Sequence, residues 1–203
     1  SNIEANAGSE GFNLTQKVAV IYKGKSTQVN ELVGSKCPDL VYPNYQDWGF
    51  VKVNLDATSF ATAKQHLSKV TDPLLRSMLW QSLWDSVRDG NLPLNEYLDV
   101  ALNNVSAETD YTILGQVLGQ IGSARAYLNL SLGHEHTYSK TANGKFEVLA
   151  WQNVLANKDN KNNLRRWFGA YRSAASSDKA LTNLLKLLNG ELVVENLTIS
   201  QDH

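Results

Sequence analysis

Residues 72–90 read Asp-Pro-Leu-Leu-Arg-Ser-Met-Leu-Trp-Gln-Ser-Leu-Trp-Asp-Ser-Val-Arg-Asp-Gly, and this stretch decides the fold class. An Asp followed by Pro is typical of a helix start, because the carboxylate accepts from the first free amides and Pro fits the first turn. The apolar residues then recur every three or four positions, at Leu75, Met78, Leu79, Leu83 and Val87. Asp89-Gly90 is a typical helix end. The stretch therefore predicts one complete amphipathic helix.

The same helical period continues to the C-terminal end. Further helices are predicted at 59–67, 94–105, 106–128 with Ser106 as the cap, 146–155, 164–174 and 181–188, and a polar connection at 131–145. Short connections make neighbouring helices antiparallel. The pattern predicts a mainly α fold, a curved array of antiparallel helical hairpins of the HEAT or armadillo kind, although no fixed repeat period is visible.

The part before residue 57 has a different pattern. Residues 17–22, 28–33 and 48–55 are rich in β-branched and aromatic residues, and Val51, Val53 and Leu55 alternate with polar residues. A few short strands make a marginal sheet when they are alone. We interpret them as the last strands of a β-sandwich.

Three segments are predicted from these changes in pattern. Residues 1–15 are expected to be an expression-vector remnant and a disordered lead, because the chain opens Ser-Asn-Ile rather than with Met. Residues 16–56 are expected to be a partial β-sandwich, and 57–203 a truncated α-helical C-terminal domain. The chain is thus expected to be a piece of a longer protein.

Composition excludes several classes of protein. The chain has 203 residues with 19 basic and 20 acidic side chains, so it lacks the basic excess of a nucleic-acid-binding protein. No apolar run approaches the roughly 20 residues of a membrane-spanning helix. Cys37 is the one cysteine, which excludes an intramolecular disulfide and a cysteine-based zinc site. It is expected to be a partly buried small residue.

His134, Glu135 and His136 are the group most suggestive of a metal. Two histidines and a carboxylate are credible ligands, but the zinc peptidase signature places its histidines four residues apart on one helical face. Here they are two apart, beside Gly133, which favours a loop. The group is either an exposed polar loop or a loop-borne metal site.

The other candidates also allow two interpretations. Asp85 and Arg88 are either a helical ion pair or charged groups facing a cleft. The aromatic residues on the helical faces are either core or a ligand cage, with core favoured because aromatics dominate buried area; they are Trp80, Trp84, Trp151, Trp167 and Phe168. No catalytic, cofactor-binding or metal residue is assigned.

Two stretches resemble a known family. Leu40-Val41-Tyr42-Pro43-Asn44, with Asp47, Phe50, Lys52 and Leu55-Asp56 after it, resembles the end of the β-sandwich domain of M1 zinc aminopeptidases of the bacterial aminopeptidase N kind. Residues 72–90 look like the opening of that family's C-terminal helical domain. Leu187-Leu188-Asn189-Gly190 is similar to a later piece of it, so the resemblance covers about residues 38–203. Tyr45-Gln46, Trp48-Gly49 and the 131–145 connection depart from the pattern.

The resemblance implies a division of labour. In that family a separate upstream domain carries the zinc and its ligands, so no cofactor is expected in this chain. The helical domain closes over the catalytic domain of the same polypeptide and forms the wall of a chamber that admits peptides. The resemblance therefore implies a non-catalytic segment of an enzyme that removes N-terminal amino acids from peptides.

Two other functions remain open. A stand-alone helical-repeat module could hold a peptide or a partner protein on a concave face. An independent metallohydrolase would use His134, Glu135 and His136, and would contain stoichiometric metal.

Overall fold

The computed structural model describes residues 2–8 and 11–199. The fold is mainly helical, as predicted, with a few strands at its start. The strands are β1 (Asn2–Gly8), β2 (Gly11–Val18) and β3 (Leu40–Val41). The helices are α1 (Ala57–His66), α2 (Pro73–Arg88), α3 (Leu94–Asn104), α4 (Tyr111–Leu132), α5 (Thr137–Ala156), α6 (Lys161–Ala174) and α7 (Asp178–Leu188).

The three strands form one antiparallel sheet in the order β2-β1-β3. β1 pairs with β2 along its whole length, from Asn2 opposite Val18 to Gly8 opposite Gly11. Most of the segment 1–15, for which a disordered lead was expected, thus lies in β1 and β2, whereas residues 1, 9 and 10 lie outside the described part of the chain. The signal was available in the sequence: Phe12, Leu14 and Val18 alternate with polar residues. The interpretation of Ser1 and Asn2 as a vector remnant stays a prediction.

The other predicted strands are not strands. Only residues 17–18 of the 17–22 segment belong to β2, and Asn30–Leu32 is a single 3-10 turn. Residues 51–56 form no backbone hydrogen-bond pairing of the β type. Alternation predicts an extended backbone, but a strand also needs a hydrogen-bonded neighbour. In the described part of the chain none lies beside 51–55. Cys37 is exposed in this irregular segment, which corrects the expectation that it is partly buried.

α2 begins and ends where its sequence predicts. The Asp72 carboxylate accepts hydrogen bonds from the amides of Leu74 and Leu75, and Pro73 occupies the first turn. Gly90, with φ of 74°, adopts the left-handed conformation that ends the helix. The buried face of α2 consists of Leu75, Leu79, Trp80, Ser82, Leu83 and Trp84.

The chain forms two compact units, Ser1–Pro93 and Leu94–His203. In the first unit, β3 is joined to α1 by a hydrogen bond from the Val41 amide to Ser59 Oγ, and Tyr42 shares one with Ser82 of α2. The predicted domain boundary at residue 57 is a statement about the parent protein, and it stays a prediction.

The second unit is built around α4, α5 and α6. α5 and α6 are antiparallel, since Trp151 of α5 contacts Tyr171 of α6 while Glu147, one turn earlier, reaches Ser176 and Ser177 beyond the end of α6. The large, fully buried side chains of this unit include Tyr97, Leu98, Leu114, Ile121, Leu164, Trp167 and Tyr171.

Two predicted boundaries in this unit are wrong. Ser106 lies in a 3-10 turn, and Asp110 is the residue whose carboxylate caps α4. Most of the predicted 131–145 connection is helical, because α4 runs to Leu132 and α5 begins at Thr137. The first turns of α5 bury Ser139 and Ala142, which are too small and polar to produce an apolar period.

Candidate functional site

A polar cleft of about 560 Å³ lies in the second unit. It lies between α4, α5 and the segment that joins α6 to α7. The lining residues are Arg125, Asn129, His134, Glu135, Lys140, Asn143, Gly144, Glu147, Ser173, Ala174, Ala175, Ser176 and Ser177. The cleft thus brings the predicted histidine loop together with residues that had no role in the sequence analysis.

Arg125 is oriented in the cleft by neighbouring side chains. Its Nε donates to Asn143 Oδ1 at 2.8 Å, and Asn143 in turn donates to Asn129 Oδ1 at 3.0 Å. The guanidinium lies over the ring of Phe146, 4.9 Å from its centroid. Burial lowers the pKa of Arg125 from its ordinary value, and the nearby Glu147 carboxylate partly offsets this. Arg125 is therefore an oriented, partly desolvated cation.

Glu147 is a buried carboxylate with a structural task. It accepts hydrogen bonds from the amides of Ser176 and Ser177 at 2.7 and 3.0 Å, and from both hydroxyl groups. Burial raises the pKa of Glu147, but the hydrogen bonds from Ser177 and Ser176 outweigh it and leave the pKa below its ordinary value. Because Ser177 caps α7, Glu147 anchors the start of that helix to α5.

The turn between α4 and α5 contains His134, Glu135 and His136, as the loop prediction required. Glu135 forms an exposed ion pair with Lys140, at 2.6 Å. His136 is the N-cap of α5, and its Nδ1 accepts from the Tyr138 amide at 3.2 Å. Two of the three groups therefore have local partners that order the first turn of α5.

This arrangement does not fit a zinc site. The Nδ1 of His136 is used for the helix cap, which leaves Nε2 as its one free nitrogen, and Glu135 is paired with Lys140. A zinc ion needs at least three converging protein ligands. No group of three His, Cys, Asp or Glu residues in the described part of the chain is placed to hold a metal ion. We derive no chemistry through a metal from these residues.

The cap role of His136 makes a prediction that a metal role does not. His136→Asp should raise the free energy of unfolding by about 0.5–1 kcal/mol, because Asp is a better N-cap and its charge suits the helix N-terminus. Urea unfolding of the two proteins measures the difference. His134→Asp, on the same turn but outside the cap, should bring no such gain. Equal effects of the two changes, or stabilisation of the wild type by added Zn²⁺, would contradict the cap assignment.

The remaining candidates have structural roles. Arg88 lies 3.8 Å from Asp85 as an i,i+3 ion pair, which confirms the helical-pair interpretation. Trp80, Trp84, Trp167 and Phe168 are buried, as a core interpretation predicts. Trp151 is half-buried instead, and its ring centroid lies 4.8 Å from that of Tyr171 beside a small cavity of about 140 Å³.

The sequence did not predict a role for Arg125 or Glu147, and the reason is physical. Their partners lie 18 and about 30 residues away in the chain. A lone Arg on α4 and a lone Glu on α5 look like ordinary surface residues, and no spacing rule relates them. The sequence carried no local signal for this cleft.

Comparison with known proteins places these features in context. A family model described as "ERAP1-like C-terminal domain" matches residues 40–202. The protein named Aminopeptidase N from Streptomyces lividans is 26% identical over 186 residues, which cover 92% of this chain and 21% of that protein. The chain thus spans about a fifth of the length of that relative. Among the described helices, none combines the length and apolar character that crossing a membrane requires.

Proposed function

The chain belongs to the family of ERAP1-like C-terminal domains, and from this we propose that it is the non-catalytic C-terminal segment of a zinc-dependent aminopeptidase of the M1 type. In the intact enzyme it caps the catalytic domain and forms part of the wall of a chamber through which peptides reach the zinc. The catalytic domain of the same polypeptide is its partner, and the parent enzyme removes N-terminal amino acids from peptides.

The observation that carries this proposal is the pattern of coverage. The match to Aminopeptidase N extends over nearly all of this chain but over a fifth of the relative. A separate region of such a protein has room for the zinc site, whereas in this chain His136 caps a helix, Glu135 forms an ion pair and Glu147 anchors a helix start. We therefore base the proposed role of this chain on its shape and on a face that docks to the catalytic domain.

Exposed apolar side chains in the first unit support a docking face. Trp48, Phe50 and Val51 lie together in sequence and are 79%, 110% and 60% exposed. Ile21 and Tyr22 are also exposed, at 79% and 59%. Large apolar groups gathered in one segment usually mark a surface that another domain covers. The segment is the one that resembles the end of a β-sandwich.

The test begins with the coding frame upstream of residue 1 in the source DNA. We expect it to encode His-Glu-x-x-His with a downstream Glu. The upstream part is then produced with and without residues 1–203, and hydrolysis of an amino acid 4-nitroanilide is compared with that of peptides of increasing length. We expect residues 1–203 alone to be inactive, and their removal to change the dependence on peptide length.

A paired variant tests the docking face in the same enzyme. Trp48→Ser with Phe50→Ser should weaken association of the two parts when they are produced separately, as measured by analytical ultracentrifugation. Leu130→Ser, which removes an 83%-exposed leucine of α4, is the matched control. A short reading frame without the zinc motif would overturn the proposal, and so would unchanged length dependence after deletion.

A further inference from the structure

A second groove, of about 440 Å³, runs between α4 and α6 and meets the polar cleft at Arg125 and Ser173, which line both. Its lining residues are Gly115, Leu118, Gly119, Gly122, Arg125, Phe146, Arg165, Arg166, Gly169, Ala170 and Ser173. All of them lie in the described part of the chain. They include three arginines and no carboxylate, in a protein whose acidic residues outnumber its basic ones. We call this surface the arginine groove.

Arg166 is seated in the groove by its surroundings. Its guanidinium lies over the ring of Tyr111, with its central carbon 4.1 Å from the ring centroid. It also rests against Gly115, where an added Cβ would lie 2.8 Å from that carbon. A side chain at 115 would push the guanidinium away. Gly115 therefore holds open the place that Arg166 occupies.

The donors of these arginines remain free for a ligand. In the described structure the Nη groups of Arg125 have no hydrogen-bond partner, since only its Nε is bonded. Arg166 has its ring contact but neither a hydrogen bond nor an ion pair among the described residues. When a ring covers one face of a guanidinium, the N–H donors along its edge remain exposed. Two of these donors can bind the two oxygens of a carboxylate. Two oriented guanidinium groups thus point to an anionic ligand with more than one charge.

The chemistry of the groove favours a peptide over a nucleic acid. Single-stranded nucleic acids bind through aromatic platforms for their bases. Here the nearby rings of Phe146 and Tyr111 are each covered by a guanidinium. The net charge of −1 also opposes a polyanion with one charge on every unit. A peptide carries its charges on separate side chains, and the small residues of the groove let its backbone approach.

We propose that the arginine groove binds an acidic peptide segment, whose Asp or Glu carboxylates pair with Arg125 and with Arg166, and with Arg165 beside it. The inference rests on the proposed function, because it names a class of peptide that a chamber wall of this kind would retain. It assigns the groove a preference for acidic residues, which neither the family match nor the relative specifies.

Binding by the whole 203-residue chain tests this directly. The probe is a fluorescein-labelled octapeptide of alternating Glu and Gly, amidated at its C-terminus, and fluorescence anisotropy measures its Kd. The matched peptide with Gln in place of Glu is the neutral comparison. We expect the Glu peptide to bind at least tenfold more tightly, because each charge-assisted hydrogen bond contributes at that level.

Four variants distinguish a specific binding site from nonspecific electrostatic attraction. Arg166→Ala and Arg125→Ala should each weaken binding of the Glu peptide about tenfold. Gly115→Ala should also weaken it while every charge is kept, because it displaces the Arg166 guanidinium. Arg172→Ala is the control, since Arg172 is an exposed arginine of α6 outside the groove. Circular dichroism confirms that each variant is folded.

Several results would overturn the inference. These are equal binding of the Gln peptide, a loss with Arg172→Ala as large as with Arg166→Ala, or tight binding of oligo-dT without binding of the Glu peptide. The binding assay needs no catalytic domain. Its failure would therefore remove the acidic preference and leave the proposed capping role standing. A short upstream reading frame would remove the capping role, and with it the role of the groove in a chamber wall, but would not change the measured affinity for the Glu peptide.

Discussion

Replacing Trp80 with alanine should lower the free energy of unfolding by about 3–5 kcal/mol, which is a large fraction of the stability of a domain of this size. Trp80 lies on the buried face of α2 and has no exposed surface. Alanine would remove the indole and leave a cavity in a core in which Leu79 and Leu83 of the same helix are also fully buried. Urea unfolding followed by circular dichroism measures the loss.

A second substitution at the same position separates packing from hydrogen bonding. Within the described residues, the indole Nε1 of Trp80 is buried without a hydrogen-bond partner. A buried N–H in this state costs about 1–3 kcal/mol. Trp80→Phe removes that cost while it retains most of the ring, so we expect a loss of about 1 kcal/mol or less.

The control for both is Trp48→Ala, which should change stability by about 0.5 kcal/mol or less because Trp48 is 79% exposed. If Trp80→Phe were as destabilising as Trp80→Ala, the indole N–H would have a partner that contributes to stability. The assignment of an orphaned donor would then be wrong.

Loss of the Glu147 carboxylate should be the next largest effect. Glu147→Ala should destabilise the protein by about 2–4 kcal/mol, because it leaves the Ser176 and Ser177 amides without their acceptor and frees the start of α7. Glu147→Gln keeps the size and one acceptor oxygen, and should cost about 1–2 kcal/mol. Chemical unfolding at pH 7 measures both.

The contribution of Glu147 should also depend on pH. Its pKa in the folded protein lies below the ordinary value of 4.5, so the folded state holds the ionised form more tightly than the unfolded state does. The stabilisation is therefore complete above about pH 5.5 and is lost as the pH falls below 4.5 through the folded pKa. The stability difference between wild type and Glu147→Gln should shrink over that range.

Glu135→Gln provides the control for this pH series. Glu135 also has a pKa below its ordinary value, because of the hydrogen bond from Lys140, but it is exposed to solvent. Exposed ion pairs contribute little to stability. We expect no measurable change with Glu135→Gln. A pH profile of Glu147→Gln parallel to that of the wild type would show that Glu147 does not anchor α7 through its charge.

The sequence was informative where the signal is local. Asp72-Pro73 and Asp89-Gly90 marked the ends of α2, and apolar residues three and four positions apart marked most of the other helices. The same stretch carried the resemblance that the family match then confirmed. Local patterns failed at the first turns of α5, where Ser139 and Ala142 replace large apolar residues. They also failed at 19–22, 28–33 and 51–55, where the structure has unpaired backbone or a 3-10 turn instead of the predicted strands.

What the sequence determined by itself is the helical architecture and the family, because capping and amphipathic periodicity act between residues at most four apart. Tertiary structure alone decided the candidate sites. Arg125 is oriented by Asn143 from the next helix, Glu147 meets Ser177 across α6, and Arg166 finds its seat on Gly115 of α4. Each pair is 18 to 51 residues apart. Such contacts exist only after the helices have packed, so the spacing of residues in the sequence does not predict them.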